Sequence, residues 1–140
     1  MAGTVIADRL EAASTSQLVI ENGVANTPPT IVDGNNVQIG TFCRAWVNFN
    51  GTGTPAIRAS FNVTSITDNG TGDYTVNFTT AMPDANFCAV GNGANLGTAA
   101  SASAKGLLPV TYATSSIRVV VTTGTGAAGD YDAVNVAVFR

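Results

Sequence analysis

From Val37 onward the chain alternates apolar and polar residues in short runs broken by Gly, Asn, Asp and Thr, the pattern of half-buried strands joined by tight turns. In CRAWVNFN, Ala45, Val47 and Phe49 fall on one face, and Arg44, Trp46 and Asn48 fall on the other. The preceding VQIGTF forms with it one long or bent strand pair. After the turn Asn50-Gly51-Thr52-Gly53, residues 57–66 read as a strand with Ile57, Ala59, Phe61 and Val63 on one face. Ile66 falls out of phase, which predicts a bulge near Thr64 and Ser65. Asp68-Asn69-Gly70-Thr71-Gly72-Asp73 reads as a hairpin loop in which Asn69-Gly70 supplies the positive φ values. Tyr74, Val76 and Phe78 then alternate with Thr75, Asn77 and Thr79 on the return strand. Met82-Pro83-Asp84-Ala85 ends it, and another strand begins at Asn86.

Residues 91–106, GNGANLGTAASASAKG, are small and carry no period, so they read as a surface loop or a flat strand. The pattern returns in VTYAT, SIRVVVTT and DAVNVAVFR, with Val134, Val136 and Val138 facing one way on the last strand. Residues 1–36 are different. ADRLEAA allows a helical turn or two, SQLVIEN a short strand, and Pro28-Pro29 followed by Asp33-Gly34 extended chain and turns. Two readings stand: a docking arm that packs on a neighbour, or the first strands of the same domain. Eight or so strands, with turns about every 8–12 residues, predict an all-β fold. The expected architecture is an antiparallel β-sandwich or jelly-roll-like domain over 37–140. A short extended, partly helical N-terminal arm over 1–36 precedes it.

Composition supports this. A chain of 140 residues is one domain by size. Only 11% of residues are charged and 45% are apolar, which opposes disorder. Polarity comes instead from 19 Thr, 13 Asn and the Ser residues, types that favour strands and turns. The net charge is −3, and the six basic residues are scattered, so no cationic patch exists for nucleic acid. No apolar run is long enough for a membrane helix, and no basic-then-apolar signal pattern opens the chain. Assembly in a bacterial cytoplasm without Sec export is the expectation. Natural strand edges are usually guarded by Lys or Pro, and this chain has one Lys, so edges covered by another copy of the chain are expected.

Candidate chemistry is sparse. Without a single His, neither a Ser-His-Asp nor a Cys-His arrangement can be built. The carboxylates Asp68, Asp73, Asp130 and Asp132 could serve a glycosidase, but all sit in or beside Gly-rich turns where Asp bonds local backbone. Asp68, Asn69 and Asp73 offer some calcium ligands, yet the alternating acidic spacing and closing Glu are missing. Gly91, Gly93 and Gly97 miss the dinucleotide fingerprint by one residue and precede no helix. The four Asn-x-Thr sequons, at Asn50, Asn62, Asn69 and Asn77, matter only in a secretory pathway. Cys43 and Cys88 read as buried reduced thiols, with a disulfide left open, and two cysteines without His argue against zinc. No enzyme, cofactor or metal is expected. Trp46, opposite the apolar face of its strand, is either core or subunit packing or a glycan-stacking aromatic, which Tyr74, Tyr112 and Tyr131 could join.

Over residues 45–86, and most clearly in AWVNFNGTGT, IRASFNV and SITDNGTGDYTVNFTTAMPDAN, the chain resembles a segment of tailed-bacteriophage virion proteins, mostly tail fibres and tail proteins. The match covers under a third of the chain, and it transfers no catalytic residue. The resemblance implies a virion part without enzymatic activity, assembled as a homotrimer and contacting other virion proteins of tail or head. Against long fibres, this chain has no heptad run and no repetitive β-shaft, which also admits a capsid decoration (cement) or head-fibre role. In the fibre reading the loops at 50–54, 68–73 and 124–130 form an exposed tip. Asn50, Thr52, Asp68, Asn69, Asp73 and Asp130 are then candidate exposed-tip residues, and a third reading is a carbohydrate-binding module for host surface glycans with Trp46 as the stacking candidate.

Overall fold

The computed structural model describes residues 31–96 and 106–140, which form ten strands and no helix. These are β1 (Ile31–Val32), β2 (Gln38–Gly40), β3 (Cys43–Asn50), β4 (Ala56–Phe61), β5 (Val63–Gly70), β6 (Asp73–Phe78), β7 (Cys88–Ala94), β8 (Leu107–Ala113), β9 (Ser116–Val121) and β10 (Ala133–Phe139). β1 and β2 make a small hairpin. The other eight form two four-stranded antiparallel sheets, a front sheet ordered β4-β3-β10-β7 and a back sheet ordered β5-β6-β9-β8. The all-β sandwich expected from the alternation is therefore present. The suggested helical turn at 7–13 and the strand at 16–22 lie outside the described residues.

Four inner strands carry the core. β3 contributes Ala45, Val47 and Phe49, and β10 contributes Val134, Val136 and Val138. From the back sheet come Tyr74, Val76 and Phe78 on β6, and Ile117, Val119 and Val121 on β9. Each set follows the period of two that a half-buried strand requires. Full burial stabilises by about 1.5–3 kcal/mol per large aliphatic or aromatic side chain before chain entropy is counted. Phe49 and Tyr74 meet across the sheets edge to face, with ring centroids 5.1 Å apart. At the opposite end Phe87 bridges Phe78 and Tyr112, at 5.9 and 5.0 Å.

The outer strands depart from the sequence reading. Ile57, Ala59 and Phe61 do not face the core: all of β4 is exposed. The run expected over 57–66 is broken at Asn62, whose backbone turns through φ 56° and carries the chain from the edge of one sheet to the edge of the other. Only Val63 beyond the corner is buried. The Asn62 amide holds this corner by donating to the carbonyls of Arg44 (3.0 Å) and Thr80 (3.1 Å), while its oxygen accepts from Thr80 N (2.7 Å). The predicted bulge is present, as a register shift between Val63 and Ser65 against β6.

The hairpin between β5 and β6 is also present, but its turn lies one step later. Gly70 pairs with Asp73, so Thr71-Gly72 forms the turn, and the positive φ values belong to Gly70 (128°) and Gly72 (67°). Asn69 stands at a register shift instead, and its amide reaches Thr75 Oγ1 at 2.9 Å. Asp33-Gly34 turns the β1–β2 hairpin, with Asp33 Oδ1 accepting from the backbone N–H of Asn35 and Val37. The limit expected at residue 36 thus falls inside a hairpin. Both cysteines are free. Cys43 is half-buried, but Cys88 is exposed, contrary to the buried thiol expected, because it points outward from an edge strand. Phe139 of β10 lies between them in register.

Candidate functional site

Strand directions sort the connections into two ends. One end, here the loop end, gathers residues 51–55 between β3 and β4, the turn 71–72, the start of the β7–β8 connection and residues 122–132. The other end gathers the Asn62 corner, residues 79–87, the 114–115 turn, the C-terminal Arg140 and the β1–β2 hairpin. Thr41 Oγ1 donates to the Arg140 carbonyl at 3.1 Å there, and Arg140 forms a bidentate pair with Asp84.

At the loop end three separate loops are tied to one phenol and one carboxylate. Tyr74 rises from β6 with its ring buried, and its hydroxyl stands 2.8 Å from the Gly51 carbonyl and 2.8 Å from Asp130 Oδ1. The same Asp130 oxygen accepts from Gly72 N at 2.6 Å. Gly51 N donates to the Tyr131 carbonyl, and Val121 N donates to the Gly72 carbonyl. Only glycine fits at two of these points. A Cβ on Gly51 would lie 2.6 Å from the Tyr74 oxygen, and one on Gly72 would lie 2.5 Å from Gly129 N. A fourth connection joins through Asp132, whose Oδ1 accepts from Leu96 N at 2.7 Å.

The six sequence-selected loop residues therefore share one end, Asn50, Thr52, Asp68 and Asn69 bonded to near neighbours and Asp73 and Asp130 to distant ones. Asn50 Oδ1 accepts from Thr52 Oγ1 (2.9 Å) and, more weakly, from Thr52 N (3.3 Å). Asp68 Oδ1 accepts from Gly70 N at 2.9 Å, an Asx turn. Asp73 takes a bidentate pair from Arg118 and a bond from Asn69 Nδ2. Hydrogen bonding from Arg118 holds the Asp73 carboxyl below the ordinary carboxylate range, outweighing its partial burial. Burial, and next the bond to Asp130, push the Tyr74 phenol well up. Among the described residues no three His, Cys, Asp or Glu side chains come together as a metal-holding group.

What this end presents outward is the Asp68 carboxylate with a set of hydroxyls, amides and peptide groups at 52–54, 68–71 and 124–128, suited to hydrogen bonding. Trp46 is not part of it. It lies mid-strand on the outward face of the front sheet, exposed and directly across from Phe61 and Ala137. Tyr74 and Tyr131 are buried and offer no stacking surface, while Tyr112 packs on Phe87. Sequence reading missed the tie through Gly51, Gly72 and Tyr74, since no local signal links positions up to 58 residues apart. It also missed Phe61 as the neighbour of Trp46.

No protein family, curated protein or solved structure matches the chain.

Proposed function

We propose that the chain is a structural protein of a tailed-bacteriophage virion, a short tail fibre or tail appendage with no enzymatic activity. Its N-terminal end docks on the particle, and its loop end faces outward toward a host surface glycan. The observation that carries this reading is the two-ended arrangement of the sandwich. β1 and β2, which follow the N-terminal segment, lie at the end opposite the converging loops. An element that must attach at one end and contact a surface at the other needs this separation. The likeness of residues 45–86 to phage tail proteins supports the assignment, and it implies a homotrimer, in which three loop ends would present one multivalent surface.

Immunogold electron microscopy of purified particles tests the reading, with an epitope inserted in the exposed loop at Thr125. Gold at the tail is the expected result. Gold spread evenly over the head would replace this reading with the capsid decoration role, and particles without the protein would overturn both.

A further inference from the structure

The two outward faces of the sandwich are chemically unlike. On the back sheet, Ser65, Thr67, Thr75 and Asn77 point outward beside the Asp73–Arg118 pair. They bond one another: Asn77 Nδ2 donates to Ser65 Oγ (3.1 Å) and Thr67 Oγ1 (3.0 Å). That half of the back face, on β5 and β6, is made for water, while edge strand β8 exposes Leu108 and Val110 as an apolar pair. On the front sheet the register places Phe61, Trp46, Ala137 and Val90 side by side on four successive strands. Phe61 is 55% exposed, Trp46 41% and Val90 51%. Toward the N-terminal end the register sets Cys43, Phe139 and Cys88 side by side, and the exposed Phe42 immediately precedes β3.

Toward the loop end, the next row is a rail of amides. Asn48 Nδ2 donates to Asn135 Oδ1 (2.7 Å), and Asn135 Nδ2 donates to Asn92 Oδ1 (3.2 Å). Amides that satisfy one another laterally can be covered at small cost, whereas bare ones cannot. The four front-sheet strands contain no Asp or Glu, and their only charges are Arg44 and Arg58.

We propose that this front-sheet face is the surface on which copies of the chain pack against each other. A partner for an apolar, carboxylate-free band must itself be apolar and weakly charged, and a second copy brings such a surface. The carboxylates of an acidic chain would repel across a self-contact, and among the described residues they lie on the back sheet and at the two ends. Four strands about 4.8 Å apart and six residues at about 3.4 Å make a face roughly 20 Å on a side. Covering it removes about 400 Å² per copy, about half of what each partner of a standard interface buries and in the range of weak, exchanging contacts. The β1–β2 hairpin, which precedes Phe42 in the chain, exposes Ile31, Val32, Val37 and Ile39 as further apolar surface. The inference shares with the proposed function only the expectation of a homo-oligomer, and it is decided in solution, whatever the protein's place on a particle.

The test is light scattering on the full chain eluting from a sizing column at about 10 µM. Phe61→Lys and Val90→Lys place a charge on exposed front-sheet positions. Leu108→Lys, on the outward side of β8 with 54% exposure, is the control on the back sheet. The wild type and Leu108→Lys are expected as oligomers, and the two front-sheet variants as single chains of 14.2 kDa with unchanged far-ultraviolet dichroism. A second readout needs no variant that must fold. Cys88 lies exposed on this face in the single chain, so its alkylation in the wild-type oligomer is expected to be at least about tenfold slower than on an unfolded chain. A monomeric wild type overturns the proposal and leaves Trp46 and Phe61 as a glycan platform. An oligomer that survives both front-sheet charges, or one in which Cys88 reacts freely, overturns it as well.

Discussion

The Tyr74 hydroxyl stands 2.8 Å from Asp130 Oδ1, joining residues 56 apart in sequence at the loop end of the sandwich. Its single proton faces two acceptors, the Asp130 carboxylate and the Gly51 carbonyl, while Asp130 also receives Gly72 N. One buried phenol thus fixes three loops relative to one another.

Tyr74→Phe keeps the ring packed on Phe49 and deletes this tie. It should lower stability by about 1–2 kcal/mol, seen as a fall of several degrees in the thermal midpoint. Combined with Asp130→Ala in a double-mutant cycle, it should show a coupling of about 0.5–2 kcal/mol. Strict additivity would mean that the two side chains do not interact.

Alkaline unfolding offers an independent check. The folded Tyr74 phenol is raised above its ordinary value of 10.0, so the folded state holds its proton where the unfolded state releases it. This contribution to stability is complete below pH 10 and is lost as pH climbs from there toward the folded value. Chemical denaturation across that range should give a falling stability for the wild type and a flatter profile for Tyr74→Phe.

Asp73 works in the opposite direction. Its folded carboxyl is held below the ordinary 3.8 by Arg118, so the pair stabilises above that value and is lost as pH falls through the folded one. Asp73→Asn should flatten the acid limb of the stability profile while leaving the alkaline limb intact. Because Arg118 is well exposed, the effect should shrink in high salt.

Gly72→Ala should be costly for a purely backbone reason. The position has φ 67°, and the added methyl would press on the backbone of Gly129 and Val121. A loss of about 1–3 kcal/mol is expected, together with faster amide exchange at Gly129 and Val121, whose N–H bonds the contact supports. Unchanged exchange there would show that the loops are not held through this contact.

The Asn62 corner separates side-chain bonding from backbone strain. Asn62→Gly keeps access to φ 56° but removes three hydrogen bonds, at a cost of about 1–3 kcal/mol. Asn62→Ala adds the penalty of a left-handed residue with a side chain and should be about 1 kcal/mol worse. Equal denaturation midpoints for the two would rule out the strain component.

The inner strands were legible in the sequence because their packing is periodic. Where one face meets a core and the other meets water, as on β3, β6 and β10, alternation of residue type follows directly from the pleat. The turns were legible because Asp, Asn and Gly act on backbone only two or three residues away, as Asp33 and Asp68 do. Ile57, Ala59 and Phe61 carry the same alternation, yet they are exposed, because the edge position of β4 and the corner at Asn62 decide which face meets the core. The loops at 50–54, 68–73 and 124–130 could each be picked out along the chain, but their convergence could not. It depends on the order in which strands enter two sheets, and that order is set by side chains far apart in sequence competing to bury the same apolar surface. Local hydrogen bonding and period chose the elements; long-range burial alone chose which end of the sandwich they share, and which outward face was left apolar.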